Sequence, residues 1–122
     1  MTNTDDSGRS ETRHGNAVVS ISGSPTLEIR IDGDVDLANA YDIEHRVAAA
    51  YDPSVDGVIV DLGGTTYLDS AGLAMLVRIT SRLVTARTPV SVIAPTDSVA
   101  RRVITLSGLG AQLAMQEDPT PR

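Results

Sequence analysis

The sequence predicts an α/β fold: a mostly parallel sheet of about four or five strands, an antiparallel hairpin at its N-terminal end and about three main helices. Three observations carry this expectation. Short β-branched runs alternate with amphipathic helical periods along the 122 residues. Residues 58–62, set between Gly57 and Gly63, form a nearly continuous apolar run, which suits a strand buried on both faces. Two earlier runs, 17–21 and 27–31, are separated only by Ser22-Gly23-Ser24-Pro25-Thr26, the pattern of a hairpin.

Each element has its own local reason. Leu27, Ile29 and Ile31 alternate with Glu28, Arg30 and Asp32, giving one dry and one wet face. Asp36 is placed to cap a first helix, because a carboxylate accepts from the orphan N–H groups of a first turn. That helix presents Ala40, Ile43, Val47 and Ala50 on one face, extended by Leu37, Tyr41 and Tyr51, and Pro53 ends it. A short connection, Thr65-Thr66-Tyr67-Leu68, follows the central strand. A second helix then runs to about Ala86, with Leu73, Leu76, Val77, Leu83 and Val84 on its apolar side. Residues 90–94, between Pro89 and Pro95, form a further strand. Thr96 or Asp97 caps a third helix carrying Val99, Val103 and Leu106, and Gly108 stops it. Residues 112–116 add a short final strand. Residues 1–15 have no apolar side chain except Met1 and read as a disordered tail. The folded domain spans 16–117, and 118–122, with two prolines, read as a flexible tail.

Composition removes whole classes of function. The chain has no Cys and no Lys, which excludes disulfides, thiolate sites, Schiff-base chemistry and the lysine of phosphate-binding loops. Its two histidines, His14 and His45, are too few for a His-rich metal site. There is no Phe or Trp to stack bases, and the net charge of -6 has the wrong sign for a phosphate backbone. No nucleic acid, membrane or cofactor is expected. No apolar run is long enough to span a bilayer and the polar N-terminus is not a signal peptide, so a cytoplasmic location is expected.

In open α/β sheets, ligands and partners meet the loops at the carboxyl ends of strands. Two such loops lead into helix starts: Gly33-Asp34-Val35-Asp36, and the stretch ending in Asp69-Ser70-Ala71-Gly72. Ser70 is the sharpest feature, at the N-cap or first position of the second helix. On local pattern alone a capping serine is the simpler reading. Asp36 and Asp69 form a conceivable acid–base or metal pair, but such residues more often cap helices. Asp61 reads as structural, Arg101-Arg102 as a solvated helix face and Gly63-Gly64 as a flexible turn. Met75, with Ala74, is expected in a partner-facing patch beside Ser70, since one core face does not bury both Leu73 and Met75.

The run 58–62 followed by Tyr67-Leu68-Asp69-Ser70-Ala71-Gly72-Leu73 resembles the signature of the STAS domain, the family named for sulfate transporters and anti-sigma factor antagonists. Gly33-Asp34-Val35-Asp36 resembles the family's approach to its first helix, and residues 100–109, ending Ser107-Gly108-Leu109, its last helix. Gly63 stands where the family usually has Ser, and Ala71 replaces the commoner second Ser. The resemblance implies a STAS-like fold and a stand-alone anti-sigma factor antagonist that is not an enzyme. It implies that the chain binds an anti-sigma factor of the serine-kinase type and releases the sigma factor. It makes Ser70 the phosphorylated residue, restored by a metal-dependent serine phosphatase. Asp36, Asp69, Ser70, Ala71, Gly72, Ala74 and Met75 then form the partner-binding set. The rival readings are an unphosphorylated STAS partner of a lipid-transport ATPase or a signalling scaffold and, behind it, a small nucleotide-binding enzyme.

Overall fold

A computed structural model of the chain describes residues 2–4, 9–23, 25–113 and 115–116. The elements in chain order are β1 (Thr2–Thr4), β2 (Ser10–His14), β3 (Ala17–Ser22), β4 (Thr26–Val35), α1 (Ala40–Ala50), β5 (Gly57–Asp61), β6 (Thr65–Leu68), α2 (Ser70–Thr85), β7 (Val90–Ile93), α3 (Val99–Ser107) and β8 (Met115–Gln116). All strands join one sheet in the order β1-β2-β3-β4-β5-β7-β8, with β6 pairing β4 beyond β5. The pairs from β1 to β4 are antiparallel, whereas β4–β5, β4–β6, β5–β7 and β7–β8 are parallel. The α/β class, the N-terminal hairpin and the three helices therefore stand as the sequence predicts.

The strand count is larger than expected. Thr65–Leu68, read as a connection, is a strand that pairs the far end of β4 where its register shifts between Gly33 and Asp34. Residues 2–4 and 10–14, read as part of a disordered tail over 1–15, form β1 against β2 and β2 against β3. Gly15-Asn16 makes the two-residue turn between β2 and β3, with Gly15 at φ +60, a left-handed conformation open to glycine. The expected C-terminal tail, 118–122, lies outside the described residues.

The core forms where β4 and β5 meet the helices. Leu27, Ile29, Ile31, Val58 and Val60 are buried, as are Ile43 and Val47 of α1 and Leu76, Ile79 and Leu83 of α2. The first helix starts later than the cap assignment implied. Asp36 accepts from the Ala38 N–H at 3.0 Å within its own turn, and Asn39 takes the cap position. Leu37 and Tyr41, expected on the apolar face of α1, are 81% and 66% exposed. Ser98, not Thr96 or Asp97, caps α3, accepting from the Arg101 N–H at 3.1 Å. Leu106 of that helix is exposed, and Gly108 ends it.

The stripe on α2 is rotated about one position from the expected one. Gly72, Met75, Leu76, Ile79, Thr80 and Leu83 face inward, Leu73 and Val77 pack at its margin, and Val84 is exposed. Gly72 explains the rotation. A Cβ there would lie 2.5 Å from Leu68 Cδ1 and 3.0 Å from Val35 Cγ1, so the missing side chain lets the first turn settle on the ends of β4 and β6 without displacing them. Met75, one turn further on, then points into the core.

Candidate partner-binding site

The carboxyl ends of β4 and β6 place two loops side by side. Asp69 joins them. One carboxylate oxygen accepts from the Ala71 and Gly72 N–H groups at 3.0 and 3.1 Å, which caps α2. The other accepts from the Leu37 N–H at 3.3 Å in the loop that leads to α1. Asp69 is thus the N-cap and Ser70 the first helical residue. This removes the reading of Ser70 as a capping serine. Its side chain is exposed and has no hydrogen-bond partner among the described residues.

The neighbouring loop is fixed by reciprocal bonds. The Asp36 N–H donates to Asn39 Oδ1 at 2.9 Å, and Asn39 Nδ2 donates to the carbonyls of His14 and Asp34, both at 2.8 Å. Asp36 itself is half-exposed. Both carboxylates suspected of acid–base or metal chemistry are thus bound by backbone N–H groups. Among the described residues, no group of three His, Asp or Glu side chains is arranged to hold a metal ion.

The structure sorts the expected partner-binding set. Ser70 and Ala74 are exposed, Asp36, Asp69 and Ala71 are half-buried, and Gly72 is buried. Met75 is a correction: at 0% exposure it is a core residue and presents nothing to a partner. The exposed apolar residue tied to this site is instead Leu37, whose N–H is held by Asp69. The signal was present in the sequence: Leu37 follows Asp36 directly in the loop, ahead of the first buried helical position, Ala40.

The aspartate read as structural is so. Asp61 accepts from the Gly63 N–H at 2.8 Å and from Arg30 Nη1 at 3.1 Å, and Arg30 also pairs with Asp32 at 3.0 Å. Gly64 lies tightly against Asp32 and Arg30. Arg101 differs from the solvated face expected of it, because it is half-buried and its Nε donates to the Ala94 carbonyl at 2.8 Å. His45 is exposed with its ring 4.6 Å from that of Tyr41, whereas His14 is hydrogen-bonded to Thr12 at 2.7 Å.

The ends of β4 and β6 thus bring together a capping aspartate, an exposed serine and a close-packed glycine. The model of the STAS domain matches residues 16–118. The chain belongs to the STAS domain family. Among solved structures it is similar to an anti-sigma factor antagonist from Mycobacterium paratuberculosis, with 22% identity, a TM-score of 0.70, and coverage of 97% of this chain and 92% of that one. It is also similar to the anti-sigma factor antagonist SpoIIAA in its unphosphorylated form, at 21% identity and a TM-score of 0.65, covering 82% and 87%. The phosphorylated form of SpoIIAA, a Bacillus cell fate determinant, gives 20% identity and a TM-score of 0.62, covering 82% and 90%. These likenesses establish a shared fold. No curated protein matches the sequence. No helix among the described residues is long and apolar enough to cross a membrane.

Proposed function

We propose that this STAS domain is an anti-sigma factor antagonist switched by phosphorylation of Ser70. The observation that carries the reading is the state of that serine: exposed, without a hydrogen-bond partner among the described residues, and at the first position of a helix whose cap is made by another residue. Unphosphorylated, the surface formed by Ser70, Ala74 and Leu37 captures a serine-kinase anti-sigma factor and frees its sigma factor. The chain is a substrate and a binding surface in this scheme, not a catalyst, and a metal-dependent serine phosphatase reverses the modification in the cytoplasm. SpoIIAA, which shares the fold, exists in unphosphorylated and phosphorylated forms.

The electrostatics suit such a switch. Phosphoserine carries about -1.5 to -2 charges at neutral pH. A helix N-terminus accommodates that charge through its dipole and free N–H groups, so the fold survives. At an interface the same charge is desolvated beside Asp36 and Asp69, and like-charge crowding opposes binding.

The test is incubation with a kinase-type anti-sigma factor and ATP, followed by intact-mass analysis and site mapping. One phosphate on Ser70 is expected. Ser70→Ala blocks it, keeps binding, and changes stability by less than about 0.5 kcal/mol, because Asp69 is the cap. Ser70→Asp binds about tenfold more weakly than Ser70→Ala at low salt, and the gap narrows as salt rises. Equal binding by the two variants, or phosphate on Thr65, Thr66 or Ser81, would remove Ser70 from the mechanism.

A further inference from the structure

The far end of α2 from Ser70 holds a second feature. Between α1, α2 and the sheet lies a cavity of about 290 Å³ walled by Leu27, Ile29, Val47, Val58, Ile79 and Leu83. This is close to the lower bound, about 300 Å³, for small-ligand pockets, which are mostly apolar with a few placed polar groups. Tyr51 also lines it, but its hydroxyl is bound to Thr88 Oγ1 at 2.6 Å. A water molecule inside would find few of the partners it needs, and apolar cavities of this kind take apolar guests.

The mouth is charged. Glu44, Ala48 and Arg82 line the cavity and also an adjoining hollow of about 180 Å³, which Tyr41 and His45 complete. Glu44, 8% exposed, is gripped by Arg78 through contacts of 2.7 and 2.9 Å, and it reaches Arg82 only at 3.8 Å. Two guanidinium groups thus face one carboxylate, and no other carboxylate lines either hollow. Glu44 and Arg82 are the charged side chains that line the hollows and Arg78 holds Glu44 from just outside them, so the trio carries one net positive charge in a protein whose own charge is -6. The Arg82 side chain is 68% exposed and stands on a flexible stem that reaches over the opening.

We propose that this cavity binds a free medium-chain aliphatic monocarboxylate, its chain between the helices and the sheet and its carboxylate on Arg82. The apolar wall selects the chain, and the surplus guanidinium selects an anion over an alcohol or an amine. Leu83 lies thirteen residues beyond Ser70, roughly 20 Å along the helix, so the site is separate from the partner-binding surface. It does not depend on whether Ser70 is phosphorylated.

The test uses the isotope-labelled full chain titrated with decanoate below its micelle concentration, with decanol and decylamine as controls. Saturable amide shifts are expected along the Leu27–Ile29 stretch of β4, the last turn of α1 and the last turn of α2. Arg82→Gln weakens decanoate about tenfold while leaving decanol unchanged. Ala48→Trp, at an exposed rim position that leaves the core intact, blocks every chain. Shifts absent or mapped elsewhere in the unmodified protein would overturn the site. Decanol or decylamine binding as tightly as decanoate would overturn the assigned class of ligand, as would an Arg82→Gln variant that binds decanoate normally.

Discussion

The two limbs of the sheet are built by different forces. In the parallel limb, β5 and β7 contribute Val58, Val60 and Val92 to the core, under helices that bury Ile43, Val47, Leu76 and Leu83. In the antiparallel limb, β2 contributes only Thr12 to the buried set. It is held by its ladder to β3 and by polar clamps: Arg46 Nη2 donates to Ser10 Oγ at 2.7 Å, and Asn39, itself buried, holds the His14 carbonyl. The contrast shows that β2 joins a sheet whose apolar burial is supplied by β3, β4, β5 and β7. Once β3 and β4 are in place, the exposed edge of β3 offers unpaired N–H and C=O groups, and a polar segment with a suitable turn can take them up.

Substitutions that act on one limb at a time test this contrast. The largest expected effect lies on the core side. Met75→Ala deletes a fully buried side chain and costs about 2–5 kcal/mol of global stability, read from denaturant unfolding. A variant as stable as the parent would return Met75 to the surface. Asn39→Ala is expected to be smaller and more local, at about 1–3 kcal/mol, because it leaves the His14 and Asp34 carbonyls without their donor. Hydrogen exchange should then quicken at the β2 amides well before those of β5, and uniform quickening would show that the limbs open together.

The smallest effect is a pH dependence at β2, through His14. Burial holds the His14 pKa below the ordinary value of 6.5, with Asp42 opposing and Arg46 reinforcing. The opened form therefore binds the proton more readily than the closed one. The stabilisation is present above 6.5 and declines as the pH falls through that value. Glu44 titrates in a lower window: the hydrogen bond from Arg78 lowers its pKa below 4.5, so its contribution is present above 4.5 and is lost in more acid solution. Between about pH 7.5 and about pH 5.5, β2 protection should thus fall while β5 protection holds, and His14→Gln should abolish the difference.

The same contrast explains what could be read from the sequence. Elements that bury apolar side chains announced themselves: β3, β4, β5, β7 and the three helices were legible as elements, although the buried face of each helix differs in part from the expected one. β2 and β6 did not, because Ser10–His14 and Thr65–Leu68 gain their order from backbone pairing and polar anchors, which leave no hydrophobic period. Gly15-Asn16 was the one turn signal for β2, and it was legible. At the site, Asp69, Ser70 and Gly72 were recognisable from their motif. The division of work between them was not, because cap and first turn differ by one residue and only the backbone decides which oxygen meets which N–H. Met75 was misplaced for a related reason. The one-position rotation of α2 follows from the contact of Gly72 with Leu68 and Val35, a tertiary fact without a local signature.

Asp69 has a consequence for which residues can occupy its position. Its two oxygens serve two different strand ends, one for α2 and one for the loop before α1. An asparagine has a single acceptor and would have to choose, turning an N–H₂ toward whichever loop it abandoned. The usual interchange of Asp and Asn at helix caps is therefore closed here. A neutral stand-in would keep the backbone fastening, since the Asp69 N–H donates to the Val35 carbonyl at 3.3 Å and Val35 pairs with Leu68, but it would release the Leu37 N–H. The carboxylate is an alignment pin: its chemical symmetry adds a side-chain tie between the helix cap and the loop before α1.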